Sequence, residues 1–235
     1  MGVLGGGGEG LYTEVIYDEE RWAILWEKRA AALRVMEALM RAGIGSVVYG
    51  SVARGDVHRL SDVEVYIPRP VSPVLAETII EREFGGWIRR EVVQATPTYV
   101  PKGYIYIDEL TVVSFPLAEA LKTEEAFYDI AGKLDLEGVR RRNRVTGMNK
   151  ALRVIIPTSY GHSEFPAERD PELAANLIGV DPLDLRRRIS VLTRRREHGK
   201  TGVYSKIVLG AGESFSSILN QLLDRNPRIR RRIHG

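Results

Sequence analysis

The chain has 235 residues, 44% of them apolar and 28% charged, the makeup of a globular protein able to bury a core as one large domain or two small ones. No apolar run approaches the roughly 18 residues a bilayer span needs. There is no cysteine, which excludes disulfides, thiolate metal sites and a cysteine nucleophile. The net charge of +3 is unevenly divided: residues 166–235 carry 14 Lys/Arg against 8 Asp/Glu, residues 1–165 carry 20 against 23.

A basic end on a mildly acidic body leads us to expect a polyanion, nucleic acid, as the partner of residues 166–235. The cations are 27 Arg and only 7 Lys. This bias suits bidentate phosphate pairing, and it fits a GC-rich or heat-adapted source equally well. Residues 1–10 lack the basic start and apolar middle of a secretion signal, so a cytoplasmic protein with no membrane contact is expected.

In chain order, Gly5–Gly8 reads as flexible. From Asp18 to Ala42 the apolar residues Trp22, Leu25, Trp26, Leu33, Met36 and Met40 recur at helical spacing. Asp18 caps that helix, Glu19 and Glu20 fill its first turn and Gly43 ends it. Ser46–Tyr49 is a short strand, Gly50-Ser51 a sharp turn, and Asp62–Ile67 an alternating strand closed by Pro68 and Pro70. A helix over Pro73–Phe84, a strand over Trp87–Ala95 and a hairpin of Tyr104–Ile107 with Thr111–Phe115 follow. Residues 117–165 are poorly patterned, with one helix near Leu117–Asp129 and a basic cluster at Arg140–Arg144.

From Pro171 the pattern is helical again. Two helices around Gly179-Val180-Asp181, the second running from Pro182 to Arg195, resemble a helix-turn-helix. A hairpin over Arg196–Leu209, its tip at His198–Gly202, would make this a winged-helix-like unit. The alternative is a helix pair that simply packs on the rest of the chain. The expected organisation is an α/β (α+β) mixed sheet with flanking helices in residues 1–165 and a small basic winged-helix-like domain in 166–235.

The chemistry concentrates in Val48–Ile67. Gly50 has no side chain, so the backbone can turn sharply and approach a ligand. Ser51 follows at the start of a helical turn, where its hydroxyl and free N–H groups suit a phosphate oxygen. Ten residues separate Ser51 from Asp62, and Glu64 stands two positions further on. Alternation puts both carboxylates on one face, about 6–7 Å apart along the strand. Such a pair suits a magnesium site of one or two ions. Ser61-Asp-Val-Glu64 also matches a helix capping box, but only three residues, all strand-favouring, separate Glu64 from Pro68. The four histidines show no paired metal spacing, and no Gly-x4-Gly-Lys-Ser/Thr loop is present.

Gly50-Ser51-Val-Ala-Arg-Gly-Asp, followed by Ser61-Asp-Val-Glu64, resembles the signature of the DNA polymerase beta-like nucleotidyltransferase superfamily, especially its small prokaryotic members. The resemblance covers roughly residues 18–115. It implies an enzyme moving a nucleoside monophosphate from an NTP to an acceptor hydroxyl. In it Gly50 and Ser51 bind the nucleotide, and Asp62 and Glu64 hold magnesium. This chain has Glu64 where the family usually has aspartate. The family's third carboxylate has no unambiguous match: Glu91 is the first choice as the third catalytic acid and Asp108 the second. Without one, the expectation becomes a catalytically inactive, nucleic-acid-binding regulator of nucleotidyltransferase fold, or a nucleotide-dependent antitoxin-like partner protein.

Overall fold

A computed structural model describes residues 12–199 and 202–234. The Gly5–Gly8 stretch and part of the expected hairpin tip, Lys200 and Thr201, lie outside the described residues. The first half runs β1 (Thr13–Ile16), α1 (Glu19–Arg41), β2 (Val47–Tyr49), α2 (Ser51–Arg54), β3 (Val63–Tyr66), α3 (Pro73–Phe84), β4 (Arg89–Gln94), β5 (Lys102–Tyr106) and β6 (Thr111–Pro116). The second runs α4 (Lys122–Ala131), β7 (Lys133–Asp135), α5 (Leu136–Arg140), β8 (Gly147–Met148), β9 (Arg153–Thr158), β10 (Gly161–Pro166), α6 (Pro171–Ile178), α7 (Pro182–His198), β11 (Ser205–Val208), α8 (Phe215–Arg225) and α9 (Pro227–His234).

These elements form a mixed α/β protein with two sheets. A seven-stranded mixed sheet has the order β11-β4-β5-β6-β3-β2-β7, and a four-stranded antiparallel sheet the order β1-β10-β9-β8. In the larger sheet β3 and β6 run parallel, pairing Val63 with Thr111 and Glu64 with Val112. Among the described residues no helix is long and apolar enough to cross a membrane.

Helix α1 forms for the reasons its sequence gives: the Asp18 side chain accepts from Arg21 N at 2.8 Å, and Leu25, Ala32, Val35, Met36 and Leu39 are buried along one stripe. That stripe shares a core with Val63 and Val65, the inward residues of β3, and with Ile67 just after it. Phe215, Ile218 and Leu222 of α8 join the same core, with Phe215 edge-on to Phe115 of β6. The other face of β3 carries Glu64 and Tyr66. Tyr66 stacks on Tyr128 of α4 with ring centroids 3.7 Å apart, and Tyr49 meets Tyr128 edge-on at 4.8 Å. A second core lies on the smaller sheet, where Leu152, Val154 and Phe165 meet Ala174, Ala175, Leu185 and Leu192 of α6 and α7.

The C-terminal residues depart from the winged-helix-like expectation. Helix α7 continues to His198 through residues expected to begin a hairpin, because Arg194–Glu197 are good helix formers behind the buried Leu192. Strand β11 then pairs antiparallel with β4, Val208 opposite Glu91, at the edge of the large sheet. Residues 166–235 are therefore shared out: α6 and α7 cover the small sheet, while β11 and α8 complete the large one. Arg232 of α9 further ties the end of the chain to the buried Glu124, its two nitrogens 2.5 and 3.0 Å from the carboxylate oxygens.

Candidate active site

Strand β2 ends at Tyr49, and the chain turns at Gly50 with φ 77° and ψ −144°, a conformation that an L side chain rarely adopts. Gly50 donates its N–H to Gly132 O at 2.9 Å, and its carbonyl accepts from Ala53 N and Arg54 N to start α2. A side chain at Gly50 would come within 3.9 Å of Glu64 Oε2, so this carboxylate oxygen lies directly over the turn. Buried Arg29 of α1 clamps α2 from below, donating to the carbonyls of Val52 and Ala53 at 3.0 Å each. Burial lowers the Arg29 pKa to about 10. Arg54 forms a bidentate pair with Asp56 at 3.0 Å for both contacts and also donates to Ala131 O. The turn is thus fixed from three sides.

Gly50, Ser51, Asp62 and Glu64 line one open cleft of about 430 Å³. Asp62 is exposed one residue before β3, and Glu64 is half-buried on β3 itself. Ser61 does not cap a helix; its Oγ accepts from His58 N at 2.9 Å and braces the loop that delivers Asp62. Tyr49 donates its hydroxyl to Glu64 Oε1 at 2.9 Å, holding the carboxylate in place. Burial raises the Glu64 pKa above the usual carboxylate value, offset by the Tyr49 hydrogen bond and by Lys150, while Asp62 adds to the rise.

Glu91 is elsewhere. Along the sheet, Glu91 faces Tyr104, Tyr104 faces Ser114 and Ser114 faces Tyr66, so three strand spacings of about 4.8 Å, roughly 14 Å, separate it from β3. It is buried and compensated by Arg89 Nε at 2.8 Å, Lys206 Nζ at 3.1 Å and the Tyr106 hydroxyl at 3.2 Å. Asp108 closes the β5–β6 turn by accepting from Leu110 N and Thr111 N at 2.8 Å each, and it does not line the cleft. The residue beside Glu64 on β6 is Val112. Arg89 and Lys206 are 40% and 51% exposed and can turn to solvent, so Glu91→Ala is expected to lower stability by only about 0.5–1.5 kcal/mol, the net worth of the lost Tyr106 hydrogen bond. Nucleotide affinity should be unchanged; chemical denaturation together with a ligand titration checks both halves.

The rest of the cleft wall comes largely from parts of the chain whose patterning is weak: Phe127, Ile130 and Ala131 of α4, Met148–Ala151 at the β8–β9 turn, and Arg188 of α7. The guanidinium of Arg188 lies 4.7 Å above the Phe127 ring centroid, and burial lowers its pKa to about 10. Neither Lys150 nor Arg188 belongs to a motif; Arg188 is the third residue of the run Arg186–Arg188. Among the described residues no group of three or more His, Cys, Asp or Glu side chains is placed to hold a metal ion. Magnesium, however, is usually held by one or two carboxylates plus substrate phosphates, so Asp62 and Glu64 fit one such ion, while Asp56, the third carboxylate lining the cleft, is engaged by Arg54. A second open depression of about 490 Å³ borders β7 and α5, and its carboxylates are already engaged: Asp135 caps α5 and Glu137 pairs with Arg141 at 2.7 Å.

The chain matches no protein-family model, no curated protein and no solved structure.

Proposed function

We propose that the protein is a magnesium-dependent nucleotidyltransferase of the polymerase beta-like type, acting at the cleft of Ser51, Asp62 and Glu64. One observation carries the reading: the Gly50-Ser51 turn and both carboxylates, separated by ten residues in sequence, converge in one cleft. The order of elements from α1 to β3, with the turn between β2 and β3, supports the same reading of the large sheet. Asp62 and Glu64 hold the metal, and the Ser51 hydroxyl and the Gly50 turn bind phosphate oxygens. Bound magnesium supplies charge neutralisation at the triphosphate. The protein's own part is positioning: Tyr49 fixes Glu64, and Arg29 and Arg54 hold the turn so that the acceptor oxygen meets the α-phosphorus in line. The acceptor hydroxyl loses its proton to solvent, a new P–O bond forms, and the α–β P–O bond breaks to release pyrophosphate.

The second reading, a nucleotidyltransferase-fold regulator without catalysis, is favoured by Val112 standing beside Glu64 where a third carboxylate would complete the acceptor side. Incubation with NTPs labelled at the α-phosphate, alongside RNA ends, protein and small hydroxyl acceptors, separates the two. The first reading predicts label transfer that is lost in Asp62→Ala; magnesium-dependent nucleotide binding with no transfer to any acceptor favours the second.

Docking of a nucleic-acid polymer on residues 166–235 is the weaker reading, because three of the six arginines of α7 are already ion-paired within the chain. Arg186 pairs with Glu172, Arg187 with Asp184 at 3.2 Å and Arg196 with Glu168 at 2.7 Å.

A further inference from the structure

Three neighbours in one run, Arg186, Arg187 and Arg188, point three ways because successive residues on a helix are turned by about 100°. The first two find carboxylates at the surface, while Arg188 is turned into the cleft and has no ion pair among the described residues. It is held over Phe127, which itself packs edge-on against Tyr49 at 5.8 Å, so the guanidinium is aligned by a chain of rings that ends at Glu64. A desolvated arginine without a carboxylate is costly unless a ligand completes it.

Lys150 is the second cation of this wall. It is exposed, borders the cleft and makes no ion pair among the described residues. The turn presenting it is rigid: Asn149 Oδ1 accepts from Ala151 N at 2.9 Å and Arg153 N at 3.0 Å. Leu152, buried in the second core, is held there at φ 61°. A leucine forced into the left-handed region is strain of the kind that gathers at ligand sites. Beside the Arg54–Asp56 pair, which satisfies itself, the cleft thus holds two carboxylates on and just before β3 and two cations, Lys150 and Arg188, that make no ion pair among the described residues.

We infer that Arg188 and Lys150 form a phosphate-binding wall that grips the polyphosphate chain of the nucleotide while Asp62 and Glu64 face its metal. This rests on the proposed nucleotide site for the identity of the ligand, but not for the charge arrangement. It assigns Arg188 a small ligand inside the cleft in place of a polymer outside it.

Calorimetric titration of inorganic tripolyphosphate and of ATP, each with and without magnesium, tests this on the full chain. Arg188→Gln and Lys150→Gln are each expected to weaken both ligands by about tenfold or more, with or without the metal. Asp62→Asn is expected to do the reverse for metal-free tripolyphosphate, tightening it by removing a like charge. If the wild type binds magnesium-ATP and both cation variants bind it equally well, the phosphate wall is wrong and the nucleotide site stands. If the wild type binds tripolyphosphate through Arg188 but not magnesium-ATP, the wall stands and the nucleotide site fails. Binding of neither ligand overturns both. Lys150 is at the surface, so its variant stays informative even should Arg188→Gln fold poorly.

Discussion

Glu64→Gln is expected to weaken magnesium-nucleotide binding by about 100-fold while leaving the fold as stable or more so. Truncating one charged partner of a close polar pair costs about 2–5 kcal/mol, and each 1.4 kcal/mol is tenfold. Glutamine keeps the shape and still accepts the hydrogen bond from Tyr49, which reaches Oε1 at 2.9 Å. What it removes is the charge. Burial raises the Glu64 pKa in the folded protein, so folding takes up protons there. Its favourable contribution to stability is present at acidic pH and is lost as pH rises through the folded pKa. The glutamine variant cannot titrate and loses that dependence, so its melting temperature relative to wild type should be highest at neutral pH. The same shift makes protons compete with the metal. Wild-type affinity for magnesium-nucleotide should fall as pH drops through the raised Glu64 pKa, and melting curves with calorimetry over a pH series read both effects.

Arg54→Ala is expected to be the most damaging single change near the cleft. The side chains of Arg54 and Asp56 are 5% and 9% exposed. Arg54 also donates to the Ala131 carbonyl, tying α2 to the end of α4. Alanine leaves a buried carboxylate and a buried carbonyl unpaired, a loss of about 3–5 kcal/mol. For a chain of this size the melting temperature should drop by roughly 6–20 °C. Arg54→Lys should recover only part, since an ammonium cannot reproduce the two-nitrogen fork. Replacing Arg54 and Asp56 together by leucines should recover more than Arg54→Ala retains, because no buried charge is then left alone. A double variant as unstable as the single one would show that the pair acts through shape.

Much of this arrangement is written locally. The α1 stripe, the proline at the start of α3, the alternation around Glu64 and the Gly50 turn depend on neighbours in sequence, and residues 18–115 carry them plainly. The small sheet does not show itself. Its strand β10 buries His162 and Ser163 and contains Gly161, so its polar interior hides the usual apolar signal. Its partner β1 lies far away in the chain, Val15 pairing with His162 across 147 residues, a separation that no short pattern encodes. 

Glu91 illustrates a different limit. Its place on a strand fits a ligand, but only the strand order, with β5 and β6 between, reveals the distance from Glu64. Arg188 is the converse case. A run of three arginines reads as one basic patch until the helix faces are known, and then two are paired at the surface and one belongs to the cleft.

The central claim is that Asp62 and Glu64 hold a metal-bound nucleotide at the Gly50-Ser51 turn. Titrating ATP into the wild-type protein and into Asp62→Ala, with magnesium and then with chelator, tests it most directly. The account predicts binding that requires magnesium in the wild type and is lost in the variant, with unchanged melting of the unliganded proteins because Asp62 is exposed. ATP affinity that is the same with and without magnesium, or the same in both proteins, would contradict it.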